Sequence, residues 1–202
     1  MLTIPVREGN RPARFHQLIA SVPLPEAEDD LPHCLEGRIL TFAGDPAGNE
    51  NTNLLLQRLA PTGVRPVIRT RLPKNRDIGI YLNCVINLLN ESYDGSKGVL
   101  KLDIGSTSEK TRHLRYGDVF SLTELSKLFG HLPRLKSGKV VLILQASMPL
   151  DPGKLTRLFP PDIFAVELLP DKEGLRFPSG EMEEALRKEG FDLAYEETED
   201  DA

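Results

Sequence analysis

The sequence Val99-Leu100-Lys101-Leu102-Asp103-Ile104-Gly105-Ser106-Thr107-Ser108-Glu109 decides the fold, because a strand pattern passes here directly into a helix start. Residues 99–105 alternate apolar and polar side chains, which is typical of a β-strand. Ser106 and Glu109 then have the spacing of a capping box, in which the hydroxyl and the carboxylate bind backbone amides at the start of a helix. A strand followed at once by a helix is the first half of a βαβ unit.

The same transition recurs along the chain. Apolar, β-branched runs predict strands over 38–44, 66–71, 99–105, 140–147, 163–169 and, more weakly, 191–195. Two further helix starts are predicted, one by a capping box at Ser121 and Glu124 and one by Asp151 before Pro152. Alternating strands and helices predict parallel βαβ units with right-handed crossovers, and therefore an α/β fold.

Each predicted strand carries an apolar set and a polar set of alternating side chains. The apolar set contains Leu40, Phe42, Leu100, Leu102, Ile104, Val140, Leu142, Leu144, Phe164, Val166 and Leu168. A parallel sheet covered on both faces needs near-continuous apolar strands, so the alternation favours a curved sheet with helices on its outer face. We expect a parallel (βα) partial barrel that resembles a TIM barrel, with its site at the carboxyl ends of the strands.

Length and composition limit the organisation of the chain. Its 202 residues fit one domain, which we divide into an N-terminal arm with an acidic, Pro-rich loop (1–36), the partial barrel (37–195) and an acidic tail (196–202). A formal net charge of −5 argues against a nucleic-acid partner. The sequence has neither a membrane-length apolar run nor a signal-peptide pattern, so we expect a cytoplasmic protein without a membrane partner.

The ends of the predicted strands, taken in order, carry motifs of a known family. The run from Ile39 to Asn49 is similar to the strand and Gly-Glu-Pro turn of the radical S-adenosylmethionine (SAM) superfamily, and residues 100–112 are similar to its fourth-strand segment. Residues 139–152 and 163–170 resemble the next two strands. The resemblance covers roughly residues 37–195 and is greatest to the branch that includes ribosomal-RNA adenine methylating enzymes. It implies a partial barrel that binds SAM at its mouth.

The chain departs from this family at the cluster site. Family members hold a [4Fe–4S] cluster through three cysteines spaced CxxxCxxC, whereas this sequence contains only Cys34 and Cys84. We therefore expect no cluster, no metal site and no redox chemistry. Asp45 stands where the family has glutamate, and the first barrel strand is missing or is replaced by the arm around residues 15–22. Cys84, in the apolar stretch 80–89, is expected to be a small buried hydrophobic residue.

Polar residues that follow or end the strands form the predicted ligand site. They are Gly44, Asp45, Pro46, Arg69, Arg71, Asp103, Ser106, Gln145 and Glu167. The basic stretch over residues 65–76 fits an anion, so a small anionic or nucleotide-like ligand is expected here. A simpler interpretation is that Arg69, Arg71 and Lys101 neutralise the two carboxylates as interior ion pairs.

Three functional interpretations stay open, and with them the question whether the chain is an enzyme. In the first, it is a cluster-free relative of the radical SAM proteins that binds SAM, a nucleotide-like molecule or a protein partner. In the second, it is the distal part of a radical SAM enzyme whose cluster segment lies upstream or on another chain. In the third, it is an unrelated partial-barrel enzyme with Asp103 and Glu167 as its acid and base.

Overall fold

A computed structural model describes most of the predicted strands and helices. The described residues are 39–42, 56–72, 74, 78–93, 98–136, 138–169 and 180–194, with 39–42 described by their backbone. The predicted arm and loop over 1–36, the tail over 196–202, the apolar side chains of the first strand, and Gly44, Asp45 and Pro46 lie outside the described residues.

Five parallel strands form one sheet. They are β1 (Ile39–Phe42), β2 (Arg65–Thr70), β3 (Val99–Gly105), β4 (Val140–Gln145) and β5 (Phe164–Leu169), paired in the order β1-β2-β3-β4-β5. Residues 192–194 continue the sheet beyond β5 through a parallel bridge between Val166 and Leu193. The predicted α/β class with a parallel sheet is therefore confirmed. The strand order follows the chain and does not reverse, in contrast to a doubly wound sheet.

Helical residues stand in each connection between strands. α1 (Ile78–Ser92) joins β2 to β3, α2 (Glu109–Tyr116) and α3 (Leu122–Phe129) lie between β3 and β4, α4 (Pro152–Leu158) joins β4 to β5, and α5 (Gly180–Lys188) follows β5. Residues 56–59 are helical and lead into a 3-10 turn at Ala60–Thr62 before β2. Parallel strands require such crossover connections. In the described part of the chain, no helix has both the length and the apolar character needed to cross a membrane.

The core lies against the apolar set of strand side chains. Leu102, Leu142 and Val166 occupy one register row across β3, β4 and β5, and all three are fully buried. Leu82 of α1 and Leu155 of α4 belong to the same buried cluster. Burying one such side chain stabilises the fold by about 1.5–3 kcal/mol, so this layer fixes the helices on the sheet. The apolar set predicted for these three strands is therefore confirmed as part of the core. The opposite face is not purely polar, because Val141, Ile143 and Ala165 are buried there as well.

The end of β3 depends on Gly105. The register between β3 and β4 shifts between Asp103 and Gly105, and Gly105 has a φ of +66°, which disfavours any residue with a Cβ. A Cβ at this position would overlap the hydroxyl group of Tyr116. Glycine therefore lets the strand end directly beneath the Tyr116 ring, which brings this ring to the carboxyl end of the sheet.

Two of the predicted helix starts are confirmed. The Ser121 hydroxyl accepts from the Glu124 amide at 3.2 Å, and the Glu124 carboxylate accepts from the Ser121 amide at 2.8 Å. This reciprocal pair begins α3 as the capping box predicts. Asp151 caps α4 by accepting from the Lys154 amide at 2.9 Å, with Pro152 as the first helical residue.

The capping box predicted at Ser106 and Glu109 is wrong. The cap of α2 is Ser108, whose hydroxyl accepts from the Thr111 amide. The Ser106 hydroxyl instead accepts from the Ser108 amide at 3.0 Å and donates to the Pro149 carbonyl at 2.7 Å, so it is engaged in the turn before the helix. The helix consequently begins two residues later than the motif predicts, with Glu109 in its first position.

The predicted burial of Cys84 is also wrong, because this side chain is exposed. The buried stripe of α1 runs along Leu82, Val85, Ile86 and Leu89. These residues recur at helical spacing and face the core. Cys84 lies between Leu82 and Val85 in sequence but outside that stripe, so the apolar character of the whole stretch gave no information about which face it takes.

Candidate functional site

Asp103 lies at the centre of a group of polar side chains near the carboxyl end of β3. Its side chain is only 5% exposed, and Oδ2 accepts from Nη2 of Arg69 at 3.0 Å. Oδ1 accepts from the Tyr116 hydroxyl at 2.9 Å. Nε of Arg71 stands 3.9 Å from Oδ2, at the outer limit of an ion pair. Both carboxylate oxygens are therefore hydrogen-bonded, as a buried carboxylate requires.

Strand alternation brings this group together. Arg69 pairs in register with Lys101, and Asp103 stands two residues further along β3, so all three side chains leave the same face of the sheet. Arg71 follows Arg69 by two residues at the end of β2. The structure therefore unites the predicted site residues Arg69, Arg71 and Asp103.

Tyr116 completes the group from the end of α2. Two cations lie over its ring, with Cζ of Arg71 5.4 Å and Cζ of Arg115 5.6 Å from the ring centroid. Burial, and next the nearby Asp103 carboxylate, raise the pKa of Tyr116 to about 12. The phenol is therefore neutral at pH 7 and acts as a hydrogen-bond donor. Neither Tyr116 nor Arg115 is among the predicted site residues.

A buried ion pair fixes the position of α2 over the sheet. The Arg112 side chain is 1% exposed, and its Nη1 binds Glu109 at 3.0 Å while its Nε donates to the Ile104 carbonyl at 3.2 Å. Burial lowers the pKa of Arg112, and Glu109 opposes this change. Glu109 also accepts from the Leu122 amide at 2.8 Å, which links α2 to the start of α3. This anchor holds the last turn of α2, and hence Tyr116, in place.

A second ion pair lies on the same face of the sheet. Nζ of Lys101 binds Oε2 of Glu167 at 2.6 Å, and the two side chains are 15% and 4% exposed. In register, Asp103 pairs with Ile143 and Ile143 pairs with Glu167. The two carboxylates therefore stand two strands apart, about 10 Å between backbones, and each has its own cation. The ion pairs expected from the simpler interpretation are present.

The predicted site residue Ser106 belongs to a contact between two loops. Its hydroxyl donates to the Pro149 carbonyl and accepts from the Ser108 amide at 3.0 Å. Thr107 adds four bonds to the segment after β4. Its amide and its hydroxyl both donate to the Pro149 carbonyl, the hydroxyl accepts from the Asp151 amide, and its carbonyl accepts from Lys154 Nζ. Ser106 is fully buried, and the hydrogen-bond partners of its hydroxyl, Pro149 and Ser108, do not belong to the Asp103 group.

Gln145 ends β4 and is half-buried. It follows Ile143 by two residues and so takes the same face of the sheet as Asp103 and Glu167. Across the described residues, no three His, Cys, Asp or Glu side chains are grouped closely enough to hold a metal ion.

Among the described residues, the charges around Tyr116 do not balance. We call Arg69, Arg71, Asp103, Arg115 and Tyr116 the carboxyl-edge cluster. It has three guanidinium groups, one carboxylate and one neutral phenol, so it carries a surplus of two positive charges. The nearby pairs Lys101–Glu167 and Arg112–Glu109 each cancel. This surplus stands in a chain whose formal net charge is −5, which makes the cluster a local exception to the charge of the whole.

No protein-family model matches this sequence, and no curated protein matches it.

Proposed function

We propose that the chain binds a small anionic, nucleotide-like ligand at the carboxyl edge of a parallel (βα) partial barrel, and that its function is not redox. The observation that carries the proposal is the surplus of two positive charges in the carboxyl-edge cluster. The sequential strand order supports the barrel-like geometry, because right-handed crossovers then place all helices on one face of the sheet. The other face carries the Asp103 and Glu167 ion pairs among buried apolar side chains such as Ile143, and ligands in such folds bind at the strand ends.

The charge of the cluster separates the two ligand types expected from the sequence. A nucleotide carries a phosphate of about −1.5 to −2 charges near neutral pH. SAM carries a sulfonium, an ammonium and one carboxylate, so its net charge is positive. A cation-rich site attracts the first and repels the second, apart from the SAM carboxylate. We therefore propose that the site binds nucleotide-like anions more tightly than SAM.

The two enzyme interpretations stay predictions. Acid–base catalysis needs a carboxylic acid and a carboxylate in contrasting environments, whereas Asp103 and Glu167 each have a cationic partner. The radical SAM interpretation is tested by reading the DNA upstream for a CxxxCxxC segment, and by anaerobic iron reconstitution of this chain. Without such a segment, we expect no bound cluster.

Calorimetric titration of the full chain tests the proposal. We expect adenosine monophosphate to bind with a stoichiometry near one, and SAM and S-adenosylhomocysteine to bind more weakly. Arg71→Gln should weaken adenosine monophosphate binding. Arg134→Gln is the matched control because Arg134 is an exposed arginine in the α3–β4 connection, paired with Asp162. Absence of heat with all three ligands at about millimolar concentration, or equal loss in both variants, would contradict the proposal.

A further inference from the structure

We infer that Arg71 and Arg115 together grip a phosphate monoester, with the Tyr116 ring as the fixed platform that both side chains contact. This inference rests on the proposed function and names the part of the ligand that the site selects. It assigns a role to Arg115, which lies on a helix end outside every motif considered in the sequence.

The two arginines reach the same tyrosine ring from different elements. Arg71 follows β2 and Arg115 belongs to α2, yet both guanidinium groups lie over the Tyr116 ring. From their distances to the ring centroid, their Cζ atoms are no more than about 11 Å apart. Both side chains are exposed, so their ends can turn toward one ligand that approaches from solvent.

Both arginines keep hydrogen-bond donors for a ligand. The Asp103 carboxylate is occupied by Arg69 and Tyr116, and Arg71 reaches it only at 3.9 Å. Within the described part of the chain, Arg115 has no carboxylate at ion-pair distance, and its Nη1 lies 3.9 Å from the Met148 sulfur. A guanidinium has five N–H donors, so within the described residues most of the donors of both groups are available.

Two guanidinium groups fit a phosphate better than a carboxylate. A terminal phosphate offers three acceptor oxygens and nearly two charges, so it can accept a two-pronged contact from each arginine. A carboxylate has two oxygens and one charge, and one arginine satisfies it. The surplus of two positive charges in the carboxyl-edge cluster matches the charge of a phosphate and exceeds that of a carboxylate.

The platform is rigid, which reduces the entropy lost on binding. Tyr116 is held by its hydrogen bond to Asp103 and by its packing over Gly105. Arg112 and Glu109 fix the helix that carries it. Two long arginine side chains remain to be ordered by the ligand itself.

The inference is tested by titrating the full chain with adenosine monophosphate, adenosine and inorganic phosphate. We expect adenosine monophosphate to bind more tightly than adenosine. Arg115→Gln should weaken adenosine monophosphate by about ten- to hundredfold, the loss expected when a charged hydrogen-bonding group is removed. It should leave adenosine binding unchanged. Circular dichroism checks that the variant is folded, and Arg134→Gln is again the matched control.

Each outcome has a distinct meaning. Competition between inorganic phosphate and adenosine monophosphate supports the grip. Equal affinity for these two ligands would also support it, and would show that the phosphate group alone accounts for binding. Equal binding of adenosine and its monophosphate, with no effect of Arg115→Gln, would overturn the phosphate grip and leave the proposed function standing. Equal losses of adenosine monophosphate affinity in Arg115→Gln and Arg134→Gln would show that only the net charge of the protein matters. That result would also overturn the phosphate grip. Binding of none of the three ligands would overturn the grip and the proposed function together.

Discussion

Replacing Lys101 by methionine should destabilise the protein far more than replacing Lys101 and Glu167 together. Methionine keeps most of the length and apolar character of the lysine stem but removes the cation 2.6 Å from the Glu167 carboxylate. The Glu167 side chain is 4% exposed, so the remaining charge cannot be hydrated by a small movement. A buried carboxylate without a partner is costly.

The expected size of the effect follows from burial. Removing one partner of a buried ion pair costs about 3–5 kcal/mol in the free energy of unfolding. We expect the lower end of this range because the Lys101 side chain is still 15% exposed. For a chain of this size, about 3 kcal/mol lowers the midpoint of thermal unfolding by about 6–12 °C. The double variant Lys101→Met with Glu167→Leu should stay within about 1 kcal/mol of the natural chain, since both charges are gone.

Urea unfolding of the natural chain and both variants measures these differences. The matched control is Lys139→Met, because Lys139 pairs with Asp192 at the same 2.6 Å, but with side chains 31% and 71% exposed. An exposed pair contributes about 0–1 kcal/mol, so this variant should change little. If Lys101→Met and Lys139→Met cost the same, or if the double variant is as unstable as Lys101→Met, the claim of a buried, mutually neutralising pair is wrong.

Three further changes test the surroundings of the site. Gly105→Ala should cost about 1–3 kcal/mol in urea unfolding, because the positive φ and the overlap with Tyr116 both oppose a methyl group; an unchanged midpoint would contradict this. Tyr116 has its pKa raised to about 12 in the folded chain, so the stability it contributes is complete below about pH 10 and is lost as pH rises toward 12. Tyr116→Phe should reduce this alkaline loss, and an identical alkaline profile would refute the assignment. Hydrogen bonds from Ser121, and next Lys74, lower the pKa of Glu124 to about 2, so its contribution is present above about pH 4.3 and is lost as pH falls toward 2. Glu124→Gln should therefore lose less stability in acid than the natural chain, and an unchanged acid unfolding profile would contradict this.

Strand positions could be predicted because their signal is local. The predicted strands over 99–105 and 163–169 match β3 and β5 to within one residue. Alternation also identified which side chains face the helices, since it follows from backbone geometry alone. The Ser121 and Glu124 capping box was predictable for the same reason, as it involves residues three apart in one turn.

The composition of the carboxyl-edge cluster could be predicted only in part. Arg69 and Asp103 leave one face of neighbouring strands, so alternation places them together. Tyr116 stands 13 residues after Asp103, at the end of a helix whose path is set by the buried Arg112. Nothing within a few residues of Tyr116 indicates that path. Ser106 was misjudged for a similar reason, because its partner Pro149 lies in a different loop.

Nuclear magnetic resonance of labelled methionine methyl groups tests ligand binding at the carboxyl edge most directly. Met148 touches Arg115 there, whereas Met182 lies on α5 and packs against the core. As adenosine monophosphate is added to the full chain, we predict that the Met148 signal moves in proportion to saturation while the Met182 signal stays in place. A Met148 signal that stays fixed while calorimetry shows saturation would place the ligand elsewhere and contradict the proposed site.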